Sequence, residues 1–166
     1  VNVLVISDTH VGAGREERLV EMLGEQLARA DMILHAGDIT GDDVLAALSR
    51  FAPVHAVLGN NDHDLALPAR RVVDIAGCSV AMVHDSGSST GRASRLRRWF
   101  PNADVVVFGH SHLPWNGTDV RVDGHVQHHL NPGSPTQRRQ APRRTVAWMD
   151  IVDGAVRTIG HEALIG

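Results

Sequence analysis

The sequence predicts an α/β protein: two mixed β-sheets packed together, with helices outside. Two observations carry this. Over the first hundred-odd of 166 residues, short apolar runs alternate with helix-period segments, an order that implies right-handed crossovers and parallel strands. After Pro114 the pattern changes to two hairpins, each turning on an Asp-Gly pair. No repeat, linker or low-complexity tract interrupts the chain, so residues 1–166 read as one domain.

The elements follow in order. VNVLVIS is an apolar run of buried-strand type that ends at Asp8. Residues 15–29 place Leu19, Met22, Leu23, Gln26 and Leu27 at mostly helical spacing, which predicts one amphipathic helix. DMILHAGD is the second strand. Asp42 and Asp43 open a short helix, where acidic residues suit the N-terminal dipole. Pro53 ends it, and VHAVLGN is the third strand. RVVDIAG and CSVAMVHD form a hairpin joined at Gly77. SSTGRASRLRRWF is a helix with Pro101 beyond its end, and ADVVVFGH is the next strand. TDVRVDGHVQHHL and RTVAWMDIVDGAVRTIGHEAL are the two later hairpins.

Composition narrows the function. At 43% hydrophobic the chain can bury a real core, and a formal charge of -3 gives no basic field for nucleic acid. No apolar stretch approaches the roughly 20 residues needed to span a bilayer. The sequence opens on a strand-like run rather than a basic leader, and its lone cysteine, Cys78, fits a reducing compartment, so a cytoplasmic location is expected. Histidine is the unusual component: 11 residues, against no tyrosine.

Position gives those histidines meaning. The strands end on Ser7-Asp8-Thr9-His10, Gly37-Asp38, Gly59-Asn60-Asn61-Asp62, Val83-His84-Asp85 and Gly109-His110-Ser111-His112. Sites in open α/β sheets form beyond the carboxyl ends of parallel strands, so these residues are expected to meet. Asp8 and His10, like His110 and His112, are two apart, which in extended chain puts both on one face. Gly37, Gly59 and Gly109 precede ligand candidates and permit tight turns and close approach. Two Asp, one Asn and four His mix oxygen and imidazole donors without thiolate, a set suited to Mn, Fe, Zn, Ni or Co better than Ca or Mg. Seven side chains exceed one tetrahedral ion and suit two ions sharing a carboxylate, for which Asp38 is the candidate.

The ordered pattern Asp8-x-His10, Gly37-Asp38, Gly59-Asn60-x-Asp62, His84 and Gly109-His110-x-His112 resembles the calcineurin-like metallophosphoesterases. It is most similar to their small bacterial and archaeal phosphodiesterase branch, to which the retromer scaffold subunit of eukaryotes is also similar. Asn131-Pro132-Gly133-Ser134 resembles a further motif of that branch, and the likeness runs from Val3 to about Arg144. The resemblance implies a four-layer αββα sandwich. It implies one ion held by Asp8, His10, Asp38 and His112, and a second held by Asp38, Asn60, His84 and His110. Two such ions, roughly 3.5–4 Å apart, clamp a phosphate and supply hydroxide at neutral pH. The implied activity is hydrolysis of small phosphodiesters, with manganese the expected metal and Fe, Ni, Zn or Co the others.

Two positions depart from the family. Asn61 stands where many members place the histidine assigned to leaving-group protonation. An amide has no titratable proton to give, though it can hydrogen-bond a phosphate oxygen, so Asn60 and Asn61 are substrate-binding candidates. Asp62 matches the family's acidic residue and is expected to orient the loop; Asn61 and Asp62 are the candidate catalytic residues. His84-Asp85-Ser86 lacks the Gly and His that often follow the ligand histidine, which bears on the contacts behind His84.

The remaining polar residues have plainer readings. His55, His125, His128, His129 and His161 are read as structural, and His35 as core or as a brace behind the site. His63 is a candidate neighbour of the site. Arg92, Arg95, Arg97 and Arg98 are read as a solvated helix face; Arg138, Arg139, Arg143 and Arg144, which flank the loop after the Asn-Pro-Gly-Ser motif, are read as exposed, with contact to an anionic substrate as the alternative. Cys78 is read as a small buried hydrophobe. Two other functions stay open: a non-catalytic scaffold of the same fold, and a phosphomonoesterase or nucleotidase. No nucleic-acid or membrane partner is expected, and the later hairpins offer edges for a homo-oligomer.

Overall fold

The computed structural model describes residues 1–165. It contains two five-stranded mixed sheets. β1 (Asn2–Ile6), β2 (Met32–His35) and β3 (Val54–Ala56) run parallel, and β9 (Thr145–Val152) and β10 (Ala155–Ala163) complete the first sheet in the order β10-β9-β1-β2-β3. The second sheet has β4 (Arg70–Ile75), β5 (Cys78–Val83), β6 (Val105–Val107), β7 (Trp115–Val120) and β8 (Val126–Asn131), in the order β4-β5-β6-β8-β7. Thus the first late hairpin joins the second sheet, with β8 parallel to β6, and the last returns to lie antiparallel to β1.

Alternation along the strands explains the layers. Val3 and Val5 of β1 face inward with Leu34, Val80, Met82, Val105, Val107 and Leu130, forming the core between the sheets. Leu4 and Ile6 point outward, beneath Leu19, Leu23, Leu27, Val44 and Leu48 of the helices covering the first sheet. On the other side, Ala81, Val83, Val106 and Phe108 pack under Leu96 of α4 (Arg92–Trp99) and Phe100. Both faces of β1 and β6 are covered, which is why their sequences are continuously apolar rather than alternating. Each such Val, Leu or Ile gains roughly 1.5–3 kcal/mol from burial.

The helix expected over 15–29 is kinked. It divides into α1 (Glu16–Met22) and α2 (Gly24–Arg29) at Leu23, just before a glycine. Leu19, Leu23 and Leu27 keep one stripe on the sheet through the bend, but Met22 falls on the solvent side. α3 (Asp42–Ser49) starts on its two aspartates as expected. The β4–β5 and β9–β10 turns, Ala76-Gly77 and Asp153-Gly154, have positive φ at both residues, the twist that tight hairpins require. No described helix is long and apolar enough to cross a membrane.

Candidate metal centre

All seven sequence-predicted ligands lie together where the parallel strands of both sheets end. Asp8, His10 and His112 present ligand atoms within 4.8 Å of one another, and so do Asp8, Asp38 and His84. Asp8 Oδ1 is 3.3 Å from His112 Nε2, 3.8 Å from His84 Nε2 and 3.9 Å from His10 Nε2. Asp38 Oδ2 sits between the histidine sets, 3.4 Å from His10 Nε2 and 3.5 Å from His84 Nε2. Asn60 Oδ1 closes the outer side, 3.1 Å from both His84 Nε2 and His110 Nδ1.

The hydrogen bonds fix which ring nitrogens carry lone pairs. His84 Nδ1–H donates to Ala36 O at 2.7 Å, and His112 Nδ1–H donates to Gln137 O at 2.6 Å. A carbonyl only accepts, so the neutral rings turn bare Nε2 atoms toward the cluster. His84 Nε2 therefore meets Asn60 Oδ1 acceptor to acceptor, and His112 Nε2 meets Asp8 Oδ1 the same way. Asp8 Oδ1 is buried and has no hydrogen-bond partner. Such crowding of acceptors costs energy unless a cation lies among them. The donor set fits divalent metal ions.

Electrostatics keep His10 and Asp38 in metal-competent form. Burial holds His10 below its ordinary pKa, outweighing the raising effect of Asp38 and Asp8. For Asp38, burial pushes upward, but the Asn61 backbone and side-chain hydrogen bonds and the nearby His84 and His10 win, and the carboxyl titrates low. A neutral imidazole and an ionised carboxylate are what a metal binds.

The backbone reaches this arrangement by a route the sequence did not disclose. The pairs Asp8/His10 and His110/His112 are not extended: φ is 55° and 45° in the first pair, 70° and 60° in the second, and 56° at Asp38. Left-handed φ costs a non-glycine residue about 1–2 kcal/mol and persists only where surrounding contacts enforce it. Those contacts are close. A Cβ at Gly59 would fall on the Asp38 backbone nitrogen and Oδ1, and one at Gly109 on Ser7 Oγ. Gly37, Gly59 and Gly109 thus act through close approach, as expected.

Braces surround the ligands. Asp8 Oδ2 accepts from Ser7 Oγ at 2.7 Å and from the His110 N–H at 3.0 Å. Asp62 Oδ1 accepts from the Ile39 and Thr40 N–H groups, and its Oδ2 from Gly59 N–H, all within 2.9 Å. This carboxylate ties two ligand loops together, in line with an orienting role. Asn61 lies over Asp38, its side-chain amide 2.8 Å from Oδ2 and its backbone N–H 2.9 Å from Oδ1. The Asn131-Pro132-Gly133-Ser134 motif also has a physical role. Asn131 Nδ2 donates to Gly109 O, Ser134 Oγ to Asp8 O, and Thr136 Oγ1 to Thr9 O. His35 braces from behind: the Gly37 N–H donates to its Nδ1, so its Nε2–H faces Thr9 Oγ1 at 3.0 Å. Complete burial pushes its pKa down to about 3.

The other expected residues separate cleanly. His125 bonds Arg97 and Asp104, His129 bonds Gln127, and His161 bonds the Asn131 carbonyl; all three are structural. His55 and His128 lie outside the cluster, their pKa values lowered by burial. His63 lines a cleft of about 220 Å³ with Asn61 and Thr40, beside the centre and not in it. Cys78 is buried, its thiol pushed up to about 11 by desolvation. The α4 arginines are not merely solvated. Arg97 pairs with Asp119 at 2.9 Å, Arg95 donates to Ser86 O at 2.7 Å, and Arg92 stacks on Phe108 and Trp115; Arg98 alone is exposed as expected. Helix periodicity hides this, because the partners come from loops and strands distant in sequence. Arg95's grip on Ser86 also shows what holds the loop after His84, where the sequence departs from its family.

Comparison with known proteins agrees with this geometry. The family description of the calcineurin-like phosphoesterase superfamily domain matches residues 1–154. A probable metallophosphoesterase of Methanothermobacter thermautotrophicus is 36% identical over 140 residues, covering 81% of this chain and 77% of that protein. One from Methanocaldococcus jannaschii is 32% identical over 154 residues, 90% and 75% of the two chains. The fold matches a predicted phosphoesterase of Streptococcus pneumoniae with a TM-score of 0.73 at 22% identity, over 98% of this chain and 88% of the other. It also matches zinc-complexed Vps29 of Entamoeba histolytica with a TM-score of 0.69 at 21% identity, over 99% and 98%. With its motifs gathered at one sheet end and a family match over nearly its whole length, this chain belongs to the calcineurin-like phosphoesterase superfamily.

Proposed function

We propose that the chain hydrolyses small phosphodiesters using two divalent transition-metal ions, manganese foremost. The observation carrying this reading is the buried, unpartnered Asp8 Oδ1 facing the Nε2 atoms of three histidines. Asp8, His10, Asp38 and His112 would hold one ion, and Asp38, Asn60, His84 and His110 the other. When bound, such a pair supplies a nucleophile at neutral pH and neutralises charge on the phosphate.

The chain's own residues determine the rest. Asp62 fixes the loop that carries Asn60 and Asn61. Asn61 can donate an amide hydrogen bond to a phosphate oxygen but cannot protonate a leaving group. Esters with aryl leaving groups, which depart without a proton, are therefore favoured over alkyl esters. The complete ligand set supports catalysis over a scaffold role. One buried thiol accords with a proposed place in the reducing cytoplasm.

The test is hydrolysis of bis-p-nitrophenyl phosphate against p-nitrophenyl phosphate. Chelator-stripped protein is reloaded with Mn, Ni or Zn, and Asp38→Ala and His84→Ala are run in parallel. The expected result is metal-dependent diester cleavage absent from both variants. A metal-loaded protein that turns over neither ester contradicts the reading, and one that prefers the monoester contradicts its diester part.

A further inference from the structure

Arg139 reaches the edge of the metal centre from outside the ligand set, at the His110 carbonyl. Among the described residues, its only hydrogen bond runs from Nη1 to the His110 carbonyl oxygen, at 3.4 Å. The guanidinium has five N–H donors, so most of this exposed side chain's capacity is unused.

The backbone at this position is as unusual as that of the ligands. Nine non-glycine residues have positive φ. Five are ligand candidates, and Ala76 and Asp153 belong to hairpin turns, which leaves Thr40 and Arg139, the latter at 47°. Thr40 is explained by its bonds to Asp62 and to Val11 O. Arg139 is the first central residue of a tight turn, closed by the Ala141 N–H donating to the Arg138 carbonyl at 2.8 Å. The segment leading to it is fastened to the centre: Ser134 to Asp8, Thr136 to Thr9, and the Gln137 carbonyl to His112. Two residues beyond that clamp, Arg139 has little freedom to leave.

Phosphoryl transfer places growing negative charge on the equatorial phosphate oxygens. Asn61 offers only a neutral amide there, and that amide lies on Asp38. A planar guanidinium matches two phosphate oxygens at once. We infer that Arg139 is a substrate-positioning residue that binds the non-bridging phosphate oxygens at the mouth of the metal centre. This rests on the phosphoesterase reading above.

The test uses inorganic phosphate as ligand, by calorimetry on the full chain loaded with manganese, with metal content measured on the same samples. Arg139→Ala should weaken phosphate binding about ten- to a hundredfold with metal content unchanged, and Arg139→Lys should recover part of the loss. Arg138→Ala is the control, because the Arg138 guanidinium turns away to the Pro142 carbonyl; it should bind phosphate within about twofold of the unmodified chain. Toward bis-p-nitrophenyl phosphate, Arg139→Ala should raise KM more than it lowers kcat. Unchanged phosphate affinity in Arg139→Ala overturns the inference and leaves the phosphoesterase reading standing. So does loss of metal in that variant, which would mark Arg139 as a brace for His110. Failure of the loaded, unmodified chain to bind phosphate or cleave diester overturns both.

Discussion

The inner and outer halves of the metal centre are built in opposite ways. Asp8 and His112 are fully buried, His10 and Asp38 nearly so, and each is held by backbone groups or neighbours from another strand end. Asn60 and His110 stand exposed, and the hydrogen bond described for each side chain is to another ligand. Burial and bracing preorganise the inner half at a cost met during folding, in left-handed backbone and a carboxylate oxygen without a partner. The outer half keeps two of its four ligands, Asn60 and His110, in water, while His84 and the shared Asp38 are buried and braced. The inner ion should therefore bind first and tightest, and the outer one should exchange with solution and open to substrate.

Removing the carboxylate common to both halves breaks the comparison most severely. Asp38→Asn should empty the centre of both ions and lower diester hydrolysis about a thousandfold or more, several kcal/mol of barrier. Metal analysis and steady-state kinetics on the same preparation check this. His110→Ala should separate the halves: one ion retained, the other lost, with rate reduced about a hundredfold and restored in part by excess metal. Equal loss of both ions would mean the halves are not independent.

Smaller changes sharpen the picture. Ser134→Ala removes the hydroxyl that donates to Asp8 O and accepts from the Gln137 N–H at 2.9 Å. It should cost about 1–3 kcal/mol of stability, read by denaturant unfolding of the metal-free chain, and weaken the inner ion ahead of the outer one. A separate effect is a pH dependence of the metal-free fold. With its folded pKa depressed to about 3, His35 is neutral in the native state through the acidic range. Above pH about 6.5 both states are neutral and His35 contributes nothing. Below it the unfolded chain takes up a proton and the native chain does not. Stability should therefore fall as pH drops from about 6.5 toward 3, by up to about 1.4 kcal/mol per unit. Thermal melts in chelator should show that slope, and His35→Gln should flatten it.

The outer half was as legible in the sequence as the inner one. Every ligand closes an apolar run, and strand ends are easy to find when both faces of a strand are buried. The Asp153-Gly154 hairpin was readable for a similar reason, since only a few residues tolerate two successive positive φ angles. What stayed hidden depends on contacts across the fold. Spacing of two implied extended pairs at Asp8/His10 and His110/His112, yet both turn left-handed because close neighbours such as Gly59 and Gly109 crowd the loops. Helical spacing counted Met22 into the core, and a bend at Leu23 turned it outward. Nothing in the run Arg138-Arg139 distinguishes a residue facing the His110 carbonyl from one facing Pro142.

A direct metal titration of the chelator-stripped chain tests the central claim. Manganese binding followed by calorimetry, with Asp38→Asn and His110→Ala alongside, should show two ions per unmodified chain in two separable steps, none in Asp38→Asn and one in His110→Ala. Two ions bound as tightly by Asp38→Asn as by the unmodified chain, or no binding to the unmodified chain, would contradict the account.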